Sequence, residues 1–210
     1  MSEVGVGIVA HTSRREQYQN LINEVDPTLV SVDDGTRGCD RNHRHTWLEL
    51  LRWSDRPWLC VLEDDAVPVE GFIHQLTQAL SEAPEPVVSL YLGRQRPPQY
   101  QSEILSAVAK ADANDACWIV APRMYQAVAI VVYRDLVEEM VAWTLKRKYF
   151  AIDDGISSWV GRSHRRVAHT WPSLVDHADG QTVAHAKRSP GRIAYKTGTR
   201  SHWTPTQVIL

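Results

Sequence analysis

The chain has 210 residues, 43% of them hydrophobic, with 23 Lys plus Arg against 25 Asp plus Glu for a formal net charge of -2. That length suffices for one large domain with a buried core, and the near balance of charge removes any general electrostatic case for nucleic acid or an anionic membrane as partner. The three cysteines, Cys39, Cys60 and Cys117, form no CxxC pair, which argues against a disulfide scaffold or a cysteine zinc site.

In chain order, "VGVGIVA" (4 to 10) reads as a strand, and the polar turn "HTSRRE" opens a helix that runs to about residue 24. The opening lacks a basic lead followed by an apolar core, and no stretch approaches 18 apolar residues. A cytoplasmic chain with no stable membrane insertion is expected. A second strand, "TLVSV" (28 to 32), leads into the loop "DDGTRGCDRN", and an amphipathic helix follows over 43 to 53. The third strand, "WLCVL" (58 to 62), runs straight into Glu63, Asp64 and Asp65. The spacing then predicts a helix over "PVEGFIHQLTQALSEA" after a proline start, and a strand at 87 to 92.

Past residue 93 the pattern weakens. "GRQRPPQYQ" is a proline-rich loop, "ACWIVAP" and "AVAIVVY" read as strands, "RDLVEEMVAWTLKR" as a helix, and "FAIDDGISSWVGR" as a turn into a short helix. The segment from 187 to 210 is basic and weakly periodic, as in an arm or flap. Strands alternating with helices imply an α/β fold around a mostly parallel central sheet. The chain then divides into two halves of one domain, residues 1–93 and 94–186, followed by the arm.

In such a sheet, ligands bind beyond the carboxyl ends of the strands. Three successive strands here end in "AHTSRR", "VDDGTRG" and "LEDDA", so parallel strands would gather these loops around one cleft. Three adjacent carboxylates need a positive partner to stay together. Carboxylates suit Mn2+ or Mg2+, a cation of that kind often bridges to substrate phosphates, and arginine at a helix start offers a further phosphate anchor. No Walker loop follows the first strand and no "GxSxG" elbow occurs. The expected ligand is a phosphorylated donor.

Three segments carry a resemblance. "SVDDGTRG", "GCDRNHRHTW" and "VLEDDAVP" resemble, in that order, motifs of GT-A (Rossmann-like) glycosyltransferases of family 2 and of the lipooligosaccharide and procollagen galactosyltransferase-like family 25. The third is similar to the DXD-like metal motif of that fold, with Glu63 where an aspartate is common. "AIDDGIS" and "WPSLVDH" are similar to later segments that supply a catalytic carboxylate and a closing motif.

The resemblance implies transfer of a monosaccharide from a nucleotide-diphosphate sugar, UDP- or GDP-linked, to a hydroxyl acceptor on a protein or glycan. It implies Mn2+ or Mg2+ assistance and inversion at the sugar. Asp65 is the expected metal ligand, with Glu63 through water and His177 (rival His185) completing the set. Asp64 is expected on the donor ribose or sugar. His11, Thr12, Arg14 and Arg15 are candidates for the donor diphosphate, and Asp33, Asp34, Gly35 and His43 for the nucleoside. Asp154 is the candidate base, with Asp153 beside it to bind acceptor. The plainer readings are a "DG" turn for Asp33 and Asp34 and helix capping for Asp153 and Asp154. Nucleotidyl transfer, or binding of carbohydrate or nucleotide sugar without turnover, are the alternative functions. The oligomeric state is open.

Overall fold

The protein is seen as a computed structural model that describes residues 3–147, 151–178 and 191–210. The first strand, β1 (Val4–His11), alternates its side chains between two cores. Val4, Val6, Ile8 and Ala10 face one side, where α1 (Arg15–Val25) lays down Leu21 and Val25. Val9 faces the other side with Trp47 and Leu50 of α2 (Cys39–Trp53). Period-two alternation therefore puts the two crossover helices on opposite faces of the sheet.

Both strand glycines point to the α2 face and let that helix approach. A Cβ on Gly7 would lie 3.0 Å from Thr46 Cγ2, and one on Gly5 would lie 2.2 Å from Ser54 Oγ. We expect Gly5→Ala to lower stability by about 1–3 kcal/mol through overpacking, with partial recovery when Ser54→Gly is added. Urea midpoints of the single and double variants measure this, and equal midpoints for wild type and Gly5→Ala would show that α2 is not seated on Gly5.

Next in the chain come β2 (Leu29–Asp33), β3 (Trp58–Glu63), β4 (Ala66–Pro68), α3 (Phe72–Ser81), β5 (Val87–Ser89) and α4 (Gln101–Ala113). They are followed by β6 (Trp118–Ala121), β7 (Ala129–Tyr133), α5 (Val137–Arg147), α6 (Ile152–Arg162), β8 (Val167–Thr170), β9 (Val175–His177) and β10 (Gln207–Ile209). The large sheet has the order β10-β6-β8-β5-β7-β3-β1-β2. Four of its seven neighbouring pairs are parallel, and β6, β7 and β10 run against the other five strands. The α/β class and the largely parallel sheet are as the sequence implies. Helices α2, α5 and α6 pack on one face through Trp47, Met140, Ile156 and Trp159. On the other, α1 and α3 cover Cys60, Leu62 and Val88.

Several boundaries differ from expectation. Helix α2 begins at Cys39, one turn before His43, because Gly38 at φ 84° supplies its start. The proline start predicted for α3 is instead strand β4, whose Ala66, Val67 and Pro68 pair antiparallel with His177, Asp176 and Val175. The helix begins after Gly71, at φ 68°. Helix α4 emerges from a segment in which no helix was expected, burying Ile104, Ala107, Val108 and Ala111. The tail read as an arm contains β10, parallel to β6, and the buried Trp203 against Trp118. Its residues 187–190 lie outside the described residues. Among the described residues no helix is long and apolar enough to cross a membrane.

Candidate functional site

Parallel pairing brings the first three strand ends level. In register His11 stands opposite Asp33, and Val9 opposite Glu63. The loops that follow share one edge of the sheet.

The β2 end is organised from within. Asp33 accepts the Arg37 N–H at 3.0 Å through Oδ1 and the Gly38 N–H at 2.9 Å through Oδ2. Burial pushes its carboxyl up, but the amides of Arg37, Gly38 and Gly35 outweigh that and hold it below the usual range. Asp33 thus shapes the turn that launches α2, the plainer of its two expected roles. Asp34 is exposed and accepts the Thr36 N–H at 3.0 Å. Gly35, at φ 98°, makes the turn between them. Beneath lies buried Asn42, which donates to Ser31 O at 2.9 Å and accepts from Ser31 Oγ at 2.7 Å and Arg37 Nη1 at 2.6 Å. This network ties α2 to the strand ends, and sequence reasoning did not single it out. His43 is fully buried beside Trp47, its ring centroid 6.3 Å away. No surface is left on it for a nucleotide to touch, because its turn of α2 faces the core.

The β1 end meets the acidic triplet. His11 N–H donates to Asp64 Oδ2 at 2.8 Å. The Arg14 guanidinium donates through Nη1 to Asp64 Oδ1 and to Asp65 Oδ2, each at 2.6 Å. These side chains are only 14% and 7% exposed, so the interaction is strong and little screened. Thr12 and Arg15 are exposed beside it.

His177 arrives from 112 residues down the chain. The β4–β9 ladder sets it opposite Ala66, the Ala178 N–H donates to Asp65 O at 2.7 Å, and His177 Nε2 lies 3.3 Å from Asp65 Oδ2. His177, expected as a metal ligand, thus makes a direct contact with Asp65, while His185 lies outside the described residues. Burial pushes the Asp65 carboxyl up, yet His177 and Arg14 together bring it below the usual range. For Asp64 burial wins over Arg14, and the carboxyl sits above its usual range. Glu63 is raised well above its own, by burial first and then by Asp65, Asp153 and Asp64.

Asp153 reaches the same cluster from the first turn of α6. Burial pushes its carboxyl up to about 6, against the Asp154 N–H that it accepts at 2.9 Å. Asp40 of α2 accepts the Ile152 N–H and so anchors this helix start, a role not anticipated from sequence. Asp154 is exposed and points away, lining a cavity of about 390 Å3 with Arg123, Ser157 and Ser158. Cys39 is exposed at the start of α2, and desolvation followed by the charges of Glu63, Asp40, Asp64 and Asp65 pushes its thiol up, away from a ready thiolate. Trp118, Trp159 and Trp171 are core side chains at 0%, 1% and 1% exposure, so none of them offers a face to a sugar.

A divalent cation does not fit this arrangement. Among the described residues no group of three or more His, Cys, Asp or Glu side chains is set to hold a metal. The two carboxylate oxygens that would chelate it converge on Arg14 Nη1 instead. Among the described residues Asp65 Oδ1 and His177 Nδ1 have no hydrogen-bond partner, and Asp65 Oδ1 is the one oxygen of the Asp64–Asp65 pair that meets no donor of the chain.

No protein-family model matches the sequence, and no curated protein matches it. Among solved structures the chain is similar to protein A197 from STIV, at 13% identity over 88% of this chain and 98% of that one, with a TM-score of 0.48. It is also similar to the mannosyltransferase PcManGT from Pyrobaculum calidifontis, solved with GDP-Man and Mn2+. There the identity is 16%, the TM-score 0.44, and the match covers 86% of this chain and 59% of that one. Both likenesses are distant, and the α/β architecture rests on the strand order and register above. The likeness to families 2 and 25 stays at the level of short motifs.

Proposed function

We propose that the chain is a GT-A type glycosyltransferase that moves a monosaccharide from a nucleotide-diphosphate sugar to a hydroxyl acceptor on a protein or glycan. The observation that carries this reading is the convergence of three parallel strand ends with His177 and the start of α6. His11 to Arg14, Asp33 to Gly35 and Glu63 to Asp65 share one edge, Arg14 and His177 lock onto the acids, and the charge of Asp153 acts on Glu63.

In the transfer, an acceptor hydroxyl attacks the anomeric carbon as the bond from that carbon to the diphosphate oxygen breaks. The bonding pair leaves with the nucleoside diphosphate, and the hydroxyl proton passes to a carboxylate. Asp153 suits that task better than Asp154, the residue favoured from sequence. It is drawn into the cluster and titrates near 6, whereas Asp154 lines a separate cavity. A base poised just below neutrality is ionised at pH 7 and still basic enough to take the proton. Room for an acceptor exists past the end of β5 on the same edge, in a cavity of about 670 Å3 lined by Arg94, Gln95, Tyr195 and Lys196.

Thermal shift against a panel of nucleotide sugars, with Mn2+, with Mg2+ and with EDTA, tests the reading. A rise in Tm of several degrees is expected with one nucleotide class at saturating donor, since ligand bound to the folded state at about 100 times Kd adds about 2.7 kcal/mol. Release of free nucleoside diphosphate on adding acceptor then marks glycosyl transfer, and release of sugar 1-phosphate would mark nucleotidyl transfer. No shift with any donor under any of the three conditions would overturn it.

A further inference from the structure

We propose that Arg14 is the resident cation of this site, so that Asp64 and Asp65 hold a nucleotide sugar without a divalent ion. This rests on the glycosyltransferase reading for the ligand, and on geometry alone for the cation. Nη1 of Arg14 lies 2.6 Å from Asp64 Oδ1 and 2.6 Å from Asp65 Oδ2. That point, between oxygens of two adjacent carboxylates, is where a chelated ion would have to stand.

One of the two remaining oxygens is committed in the same sense. Asp64 Oδ2 accepts the His11 N–H, and Asp65 Oδ2 also faces His177 Nε2. Three of the four oxygens therefore meet donors that belong to the chain itself. A guanidinium keeps its charge at every physiological pH and holds two carboxylates with directional N–H donors. It is also supplied by the fold, because Arg14 sits in the 3-10 turn directly after β1.

The fourth oxygen identifies what the site takes. Asp65 Oδ1 has no hydrogen-bond partner among the described residues, in a side chain only 7% exposed. A lone carboxylate oxygen matches a single O–H donor, such as a ribose or hexose hydroxyl. With Arg14 neutralising its neighbour oxygen, Asp65 acts as a hydroxyl acceptor and not as a metal ligand.

Mn2+ alone, titrated into the full chain while the EPR signal of the aqueous ion is followed, tests this. The wild type is expected to leave the signal undiminished into the millimolar range. Arg14→Ala frees both bridging oxygens beside His177 and should bind Mn2+ at least about tenfold more tightly than the wild type. Arg14→Lys keeps a cation in place and should exclude Mn2+ as the wild type does. Stoichiometric uptake by the wild type overturns the proposal even if Arg14→Ala fails to fold.

The donor panel separates the two readings. Nucleotide-sugar binding in EDTA by a chain that excludes Mn2+ is the expected result. Donor binding that appears only with Mn2+ overturns the role of Arg14 and leaves the glycosyltransferase reading standing. Exclusion of Mn2+ with no donor bound under any condition strikes the glycosyltransferase reading and leaves Arg14 as the internal cation.

Discussion

Replacing Arg14 with alanine should destabilise the fold by about 3–5 kcal/mol at neutral pH, the range for removing one partner of a buried ion pair. The size follows from what remains. With Arg14 gone, Asp64 and Asp65, each 7% exposed, would lie together beside Glu63 without the guanidinium that bridges them. For a chain of this length each kcal/mol moves Tm by about 2–4 °C, so a drop on the order of 10 °C is expected. Arg14→Met keeps most of the stem and separates lost packing from lost charge.

The penalty should depend on pH with a definite sign. In the wild type Asp65 is held below its ordinary 3.8. Its contribution is therefore present above that value and is lost as pH falls through the folded-state value. In Arg14→Ala the same carboxylates protonate more readily, so the gap between variant and wild type should narrow as pH falls toward 4. Urea denaturation at pH 7 and pH 4 measures both gaps. A gap below about 1 kcal/mol at pH 7 would mean that the pair behaves as an ordinary exposed salt bridge.

Asp153→Asn should lower transfer by about 10²–10⁴-fold, the usual contribution of a general base, while making the protein more stable. Two effects oppose each other at this position. The first turn of α6 favours a negative charge, but burial, with the charges of Asp154 and Asp40, outweighs it and lifts the carboxyl from 3.8 to about 6. Between those values the folded chain holds a proton that the unfolded chain has released, so stability falls as pH rises through this window. Above it the ionised carboxylate carries a constant penalty of about 1–2 kcal/mol, discounted for the part of the side chain that water reaches. Asparagine removes the charge and keeps an oxygen for the Asp154 N–H, so Tm at pH 7 should rise by about 2–6 °C. The wild-type kcat/KM should climb between pH 5 and 7 with an acidic limb near 6, and the variant should lack that limb. A variant that loses stability together with activity would show that Asp153 is only a helix cap.

Much of the first half was legible because its signals are local. Val4, Val6, Ile8 and Ala10 alternate within one strand, and the carboxylates of "LEDD" follow directly on another. The second half gave weaker signals. Strands β9 and β10 have three residues each, too few for periodicity to register. Helix α4 does carry the pattern Ile104, Ala107, Val108, Ala111, which closer attention to alanine at helical spacing would have found. Asp33 and His43 show the limit of motif reading. Their residue types suit a nucleotide, but one is consumed by its own turn and the other is enclosed.

The sequence by itself determined an α/β chain whose first three strands end in loops rich in charge, because hydrophobic period and turn chemistry act over a few residues. It also placed Arg14, Asp64 and Asp65 on those loops. Only the tertiary structure decided how they meet. Parallel register sets Arg14 Nη1 between two carboxylates that lie 50 and 51 residues away, and the β4–β9 ladder carries His177 to Asp65. Packing of α6 against α2 brings the charge of Asp153 to bear on Glu63 while turning Asp154 outward. Spacing along the chain leaves such distances undetermined, whereas register and helix packing hold them to a hydrogen bond's tolerance, so which cation the acids receive is a property of the fold.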